Sequence, residues 1–134
     1  MKRSLLIIKP GFIEHHDGIV KMLNEHGVNV LAEKTMVLND DLINKHYAEH
    51  IGRPYFESLK EYMQRSEVVV IFAQGESDDL VADIRTLLGD KATPAPGTIR
   101  YVYGIGSTTE NVMHASDSDA SAERELNIFF PELV

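Results

Sequence analysis

Val68-Val69-Val70-Ile71-Phe72-Ala73 is the most strongly strand-forming stretch of this chain. Its residues are β-branched, aromatic and apolar on both faces, a pattern typical of a strand that is covered on both sides. Gln74-Gly75 follows as a turn signal, and a helical pattern then begins with Ser77 as the expected N-cap. The stretch therefore predicts a buried strand followed by a helix that closes at Gly89.

Three further strands are predicted around this one. Leu5 to Ile8 is a continuous apolar run, Val28 to Leu38 alternates, and a short strand is expected at Val112 to His114. Apolar spacing predicts helices at about 18–26, from 39 or 40 to 50, around 56–63, and at 119–129. Asp90 to about Glu110 is rich in glycine and proline with little periodicity, and we expect a loop there. This order of elements predicts an α+β sandwich of the split βαβ type.

Bulk properties limit the class of protein. A chain of 134 residues without internal repeats predicts a single domain over 1–134. The net charge of −8 argues against a general nucleic-acid or anionic-membrane surface, so any phosphate site is expected to be local. The apolar run after Met1-Lys2-Arg3 ends at Lys9-Pro10, short of a signal peptide, and no segment is long enough to span a bilayer. The absence of cysteine excludes disulfides and thiolate chemistry but says little about the compartment, so we expect the cytoplasm as the default.

One histidine lies in a setting that suits a nucleophile. His114 follows a short apolar run and precedes the small residues of Ala115-Ser116. On the last predicted helix, Glu125 shares the apolar face and therefore needs a polar partner in the interior. A hydrogen bond from Glu125 to one ring nitrogen of His114 would fix the tautomer and leave the other nitrogen free to attack. A satisfied core histidine beside an unremarkable glutamate is the alternative interpretation.

Several cations and donors fall at the ends of predicted segments, where side chains converge. They are Lys9, Arg85, Thr98 and Arg100. In a net acidic chain such a group predicts one local polyanion pocket, although each residue alone is more often a solvated surface charge than a ligand.

The chain resembles the nucleoside diphosphate kinases nearly from end to end. The segments that carry the resemblance occur in the family's order, and they are Lys9-Pro10, His46-Tyr47, Arg53-Pro54-Tyr55-Phe56, Pro96-Gly97-Thr98-Ile99-Arg100, Asn111 to Ser118, and Ser121-Ala122-Glu123-Arg124-Glu125. Asn111 to Ser118 is the specific part, whereas Lys9-Pro10 alone would be weak.

The resemblance implies a ferredoxin-like fold with a four-stranded antiparallel sheet covered by helices. It implies ping-pong transfer of the γ-phosphoryl group of a nucleoside triphosphate, such as ATP, GTP or a deoxy form, through Nδ1 of His114 to a nucleoside diphosphate. Such a reaction balances NTP and dNTP pools. It also implies Mg²⁺ and a homo-oligomer, for which a hexamer is favoured and a tetramer is the alternative.

The resemblance also assigns roles to single residues. Lys9, Arg85, Arg100 and Asn111 would contact nucleotide phosphates and sugar, and Tyr47 would join the network at the phosphohistidine. Tyr55 stands where the family commonly has the Phe that stacks on the base, and Leu59 would line the same slot. Glu125 would orient His114. Asp117 would reach the metal through water.

The chain departs from the family pattern at three places. Gly11-Phe12 stands where Asp-Gly is usual, and Glu110 stands where Arg is common. The loop from Gly89 to Arg100 is about two residues shorter than usual, so the family's phosphate-binding Thr has two candidates here. Thr93 is the predicted match, and Lys91 occupies the ungapped position.

Two other functions fit parts of the sequence. His46-Tyr47-Ala48-Glu49-His50 matches H-x-x-E-H, which would place His46, Glu49 and His50 at a hydrolytic zinc if both histidines lay on one helix face. A non-catalytic nucleotide-binding regulatory module would keep the fold without the chemistry, since fold alone does not guarantee activity. Such a module has no need of a nucleophile like His114.

Overall fold

The computed structural model describes residues 1–134 and contains one antiparallel sheet with helices on both faces. The strands are β1 (Lys2–Ile8), β2 (Asn29–Met36), β3 (Val68–Gly75) and β4 (Met113–Ala115). The helices are α1 (His16–Glu25), α2 (Asp40–His46), α3 (Phe56–Gln64), α4 (Leu80–Leu88), α5 (Ile99–Tyr103) and α6 (Asp119–Phe129), with 3-10 turns at Ile13–His15 and Ala48–His50. The strand order β2-β3-β1-β4 and the chain order give the predicted ferredoxin-like split βαβ arrangement.

The two central strands separate two apolar layers. Along β1, Leu6 and Ile8 pack in a layer beneath α1, α4 and α5, whereas Leu5 and Ile7 pack in a layer with α2, α3 and α6. Every residue of β3 from Val68 to Ala73 is buried, so the prediction of a strand covered on both faces is confirmed.

Three predictions about local structure are wrong. The expected loop at 90–110 contains α5, whose first turn is capped by the Thr98 hydroxyl accepting from the Tyr101 amide at 3.3 Å. Ser77 does not cap α4, which begins at Leu80 after Asp79. The helix expected to continue to His50 ends at His46, where Arg124 donates to the carbonyl oxygens of Lys45 and His46 at 3.1 and 3.4 Å.

No helix of this fold combines the length and the apolar character that crossing a bilayer requires.

Candidate active site

His114 and Glu125 are joined as the sequence predicted. His114 Nε2 lies 3.0 Å from Glu125 Oε1, and the carboxylate is almost completely buried. The Ser116 hydroxyl donates to the same Oε1 at 2.6 Å. Burial acts to raise the pKa of Glu125, but the hydrogen bonds from His114 and Ser116 act against it, and the pKa is lowered overall. An ionised Glu125 therefore holds the Nε2–H tautomer of His114 and leaves Nδ1 with its lone pair.

The sheet register explains why these groups meet. His114 pairs with Ile7 across β1 and β4, so the two side chains share the sheet face that α6 covers. Ser116 lies two residues after His114 and projects to the same side. The Leu5 amide and the Ser116 hydroxyl lie 3.3 Å apart, which anchors the residues after β4 to β1. Glu125 then reaches this edge from α6.

The backbone just before His114 adopts an unusual conformation. Val112 has a φ of 79°, which is rare for a β-branched residue and costs conformational energy. Its carbonyl oxygen accepts from the Lys9 amide at 2.9 Å, and its side chain is fully buried. Strain of this kind persists only where surrounding contacts over-determine the backbone, and here it sets the entry of the chain into β4.

Asn111 links two buried cations beside His114. Its Oδ1 accepts from Lys9 Nζ at 2.7 Å and from Arg100 Nη2 at 3.3 Å. Arg100 also donates to the carbonyl oxygens of Gly89, Asn111 and Met113 at 2.9–3.0 Å. The three side chains are each less than one-tenth exposed. Arg100 thus ties α5 to the loop after α4 and to β4 while placing its charge at the site.

This concentration of positive charge shifts the pKa values of both cations. Burial, with the charges of Arg100 and Lys91, lowers the pKa of Lys9 to about 7. Burial and the neighbouring Arg85 lower the pKa of Arg100 to about 10. Both shifts are in the direction expected where cations are held together without a counter-ion. A polyanion would relieve that repulsion.

An open cleft of about 470 Å³ brings these groups together. Its lining includes all but two of the residues singled out by the resemblance. Asn111 does not line the cleft, but its side chain bonds Lys9, which does. Thr93 does not line the cleft, and its hydroxyl and amide both bond Asp90 Oδ2, at 3.3 and 2.8 Å. Lys91, the alternative match in the shortened loop, does line it.

The remaining predicted residues occupy the walls of the cleft. Arg85 Nη1 donates to the Ala115 carbonyl at 2.9 Å, which places this cation beside β4. Asp117 also lines the cleft, and its pKa is lowered, chiefly by a hydrogen bond from Ser121. Tyr55, which is half-exposed, and Leu59, which is partly buried, also line the cleft. The His50 ring lies 5.5 Å from the Tyr55 ring and 6.0 Å from the Tyr47 ring.

Two buried aromatic groups flank the histidine. Burial raises the pKa of the Tyr47 hydroxyl well above its usual range, so the group stays protonated. The His46 ring packs edge-on against His114 with ring centroids 4.7 Å apart, and neither of its nitrogens has a hydrogen-bond partner. Burial, followed by the charge of His114, lowers the pKa of His46 to about 3, so His46 is neutral near pH 7.

The H-x-x-E-H residues do not form a common ligand set. His46 faces His114 and Glu125, and these three place their ligand atoms within 4.8 Å of one another. Glu49 and His50 belong to the following 3-10 turn, where His50 Nδ1 bonds the Tyr55 hydroxyl instead. Both histidines were expected on one helix face, and the end of α2 at His46 removes that arrangement.

Comparison with known proteins identifies the family. The family model for nucleoside diphosphate kinase matches residues 2–133. The chain belongs to the nucleoside diphosphate kinase family. The nucleoside diphosphate kinase of Streptomyces griseus is 40% identical over 139 residues, spanning 98% of both chains. This kinase therefore transfers a phosphoryl group from a nucleoside triphosphate to a nucleoside diphosphate.

Solved structures agree with the assignment. The Aquifex aeolicus nucleoside diphosphate kinase superposes with a TM-score of 0.90 at 29% identity, covering 98% of this chain and 96% of that one. A halophilic nucleoside diphosphate kinase from Halobacterium salinarum, solved in complex with CDP, gives a TM-score of 0.86 at 30% identity. That comparison covers 96% of this chain and 87% of the other.

Two departures from the family pattern, at Phe12 and Glu110, have local consequences in this kinase. Phe12, in place of a Gly, is buried in the layer with α1 and α4, so this position supplies core packing. The adjacent Pro10 carbonyl accepts from the Tyr62 hydroxyl at 2.8 Å, which fixes the chain after Lys9. Glu110, in place of an Arg, lies 3.8 Å from Arg65 and so keeps an ion-pair partner.

Sequence reasoning missed two residues that support the site. Ser116 was treated only as a small neighbour of His114. Its position two residues after His114 indicates a side chain on the same side of the sheet, and this side chain bonds Glu125. Arg124 was given no role, yet its Nη2 lies 3.6 Å from Glu125 Oε2 while it holds the end of α2. Nothing in the local sequence indicates that second contact, because it depends on how α2 and α6 pack.

Proposed function

We propose that this kinase works through a phosphohistidine at Nδ1 of His114. The single observation that carries the proposal is the bond between His114 Nε2 and the buried Glu125, which leaves Nδ1 free beside a group of cations. An imidazole whose tautomer is fixed by a carboxylate and whose other nitrogen is unprotonated is a competent nucleophile.

The chemistry proceeds in two matched steps. The Nδ1 lone pair attacks the γ-phosphorus, an N–P bond forms, and the bond to the bridging oxygen breaks, so that the nucleoside diphosphate leaves with the electron pair. A terminal oxygen of a second nucleoside diphosphate then attacks the phosphorus, and the N–P electrons return to Nδ1. Glu125 accepts a hydrogen bond from Nε2–H of His114 throughout both steps, and its negative charge stabilises the positive charge that the ring acquires.

The two ends of the cleft suit the two ends of a nucleotide. Lys9, Arg85, Arg100 and the Asn111 amide would bind phosphates and sugar, and the protonated Tyr47 hydroxyl would donate near the phosphohistidine. Tyr55 and Leu59 would hold the base, whose stacking on an aromatic ring is tolerant of base identity. Nucleoside tri- and diphosphates of either sugar would therefore serve. In the shortened loop, the sequence predicts Thr93 as the residue that binds phosphate. The position of Lys91 in the lining of the cleft supports Lys91 for this role instead.

Mg²⁺ fits the oxygen donors of this site. Asp117 lines the cleft and its lowered pKa keeps it ionised, so it would hold the ion through water while the nucleotide phosphates supply the direct ligands. When bound, the ion would neutralise charge on the phosphates. The residues of the chain then only need to position and stabilise the group that is transferred.

Labelling with γ-³²P-ATP tests the proposal. The wild-type protein should yield an acid-labile phosphoenzyme that any nucleoside diphosphate discharges, whereas His114→Ala should yield none. His26→Ala is a matched control, because this exposed imidazole bonds only the Met22 carbonyl. Equal labelling of His114→Ala and wild type would refute the role of His114.

We also propose that this kinase is a homo-oligomer, a hexamer in preference to a tetramer, as the family resemblance suggests. The exposed apolar side chains of Tyr101, Val102 and Ile105, after the shortened loop, support an association surface. Sedimentation equilibrium separates the two states from a monomer. A cytoplasmic location stays a prediction, which cell fractionation would test.

A further inference from the structure

Tyr55 is anchored by a partner that a Phe at this position could not use. The Tyr55 hydroxyl lies 2.5 Å from His50 Nδ1, and the two rings are 5.5 Å apart at 63°. Both side chains line the cleft, and Tyr55 keeps 49% of its surface exposed. The bond therefore holds the rim of a ring that stays half-exposed in the cleft.

The backbone between the two residues is already fixed. The Arg53 amide donates to the His50 carbonyl and the Phe56 amide to the Arg53 carbonyl, each at 3.0 Å. Gly52 supplies the positive φ of 87° that this turn needs. Because these backbone hydrogen bonds fix the turn, the side-chain bond restricts mainly the remaining side-chain rotation of Tyr55.

The carboxylate beside the second nitrogen of His50 favours one direction for the bond. Nε2 lies 3.5 Å from Glu49 Oε1, which favours a proton on Nε2. Nδ1 is then the acceptor, and the Tyr55 hydroxyl donates to it. The His50 ring also lies 6.0 Å from the ring of Tyr47, so it stands between the base end and the catalytic end of the cleft.

We propose that His50 is a positioning residue that holds the Tyr55 ring ready for stacking on the nucleobase. The inference rests on the proposed base slot at Tyr55. A ring fixed before binding loses less conformational freedom when the base arrives, so the gain is in nucleotide affinity. His50 need not touch the nucleotide or the reacting atoms for this effect.

A double-mutant cycle on ADP binding tests the coupling. His50→Ala and Tyr55→Phe should each raise the dissociation constant of ADP, measured by calorimetry, by roughly threefold, which is the range of one hydrogen bond. The double variant should be no weaker than either single one, since both changes remove the same interaction. His50→Asn should restore most of the affinity, because its amide oxygen can accept from the hydroxyl at the position of Nδ1.

Three comparisons make the test decisive. Inorganic tripolyphosphate has no base, so its affinity should be the same in wild type and His50→Ala. His26→Ala should bind ADP like wild type. Additive losses in the double variant, an unchanged constant in His50→Ala, or an equal loss for tripolyphosphate would each overturn the inference. Failure of the phosphohistidine proposal would appear separately, as labelling that persists in His114→Ala.

Discussion

The proposed phosphate end and the proposed base end of the cleft are built in opposite ways. At the phosphate end, Lys9, Arg100 and Glu125 are buried and bonded to backbone carbonyls or to neighbouring side chains. At the base end, Tyr55 is half-exposed and its side chain has a single hydrogen bond, to His50. Phosphates are common to all nucleotides and bases are not. A rigid phosphate end, with a base end that contacts the base through one anchored ring, would therefore suit the proposed tolerance of different bases.

The largest effect should come from loosening the rigid end. Glu125→Ala removes the acceptor for His114 Nε2, so the imidazole can rotate and lose the Nδ1 orientation. We expect phosphoryl transfer to slow by roughly 10²-fold or more, as small misplacements of reacting groups do, while nucleotide binding is largely kept. Single-turnover kinetics at saturating ATP measures the chemical step directly.

Glu123→Ala is the matched control, because Glu123 lies on the same helix and makes an exposed pair with Arg3. It should leave the transfer rate near that of wild type. If Glu125→Ala instead abolished binding and left the rate per bound complex unchanged, the orienting role of Glu125 would be wrong.

More of the phosphate end than of the base end could be predicted from the sequence. The pairing of His114 with Glu125 was predictable because a carboxylate on an apolar helix face needs a partner, and a histidine lay on the adjacent strand. Cations at segment ends likewise predicted that Lys9, Arg85 and Arg100 would converge, and they line one cleft. Thr98, expected with them, caps α5 and does not line the cleft. Local rules fix where such side chains start, and the sheet register brings them together.

Features that depend on packing between distant segments could not be predicted. The five residues of α5 are too few to show a helical period, and a cap and the bonds of Arg100 hold them in place. The end of α2 is bonded by Arg124, which lies 78 residues further along the chain from His46. The bond between His50 and Tyr55 depends on the shape of one turn, which neither residue type indicates.

The next largest effect should show that the phosphate end also supports the fold. Arg100→Ala removes bonds to three carbonyl oxygens and to the Asn111 amide, all in a buried region. We expect ADP affinity to fall about tenfold and the free energy of unfolding to fall by about 3 kcal/mol, because buried acceptors lose their donor. Calorimetric binding and urea unfolding give the two numbers.

Tyr55→Ala provides the contrast at the base end. It should weaken ADP binding about fivefold through lost stacking, yet change the free energy of unfolding by less than about 0.5 kcal/mol, since the ring is half-exposed. Equal losses of stability in the two variants would break the distinction between a phosphate end that also supports the fold and a base end that does not.

The smallest effect concerns the protonation of Lys9, whose pKa of about 7 is set by burial and by Arg100 and Lys91. Bound polyphosphate would raise that pKa, so above pH 7 nucleotide binding should draw a proton onto Lys9. At pH 8 we expect uptake of up to about one proton, and affinity should fall as pH rises further. Calorimetry of ADP binding in two buffers of different ionisation enthalpy measures the uptake.

The sign for folding is opposite to that for binding. The folded pKa of Lys9 lies below the unfolded one, so between pH 7 and about 10.4 the unfolded chain holds more protons and the free energy of unfolding rises with pH. Lys9→Met should abolish both the proton uptake and this part of the slope. Lys45→Met, at an exposed pair with Asp41, should retain them. Identical binding heats in the two buffers would mean that Lys9 is already charged in the free protein, and that the phosphate end tolerates its own repulsion without a nucleotide.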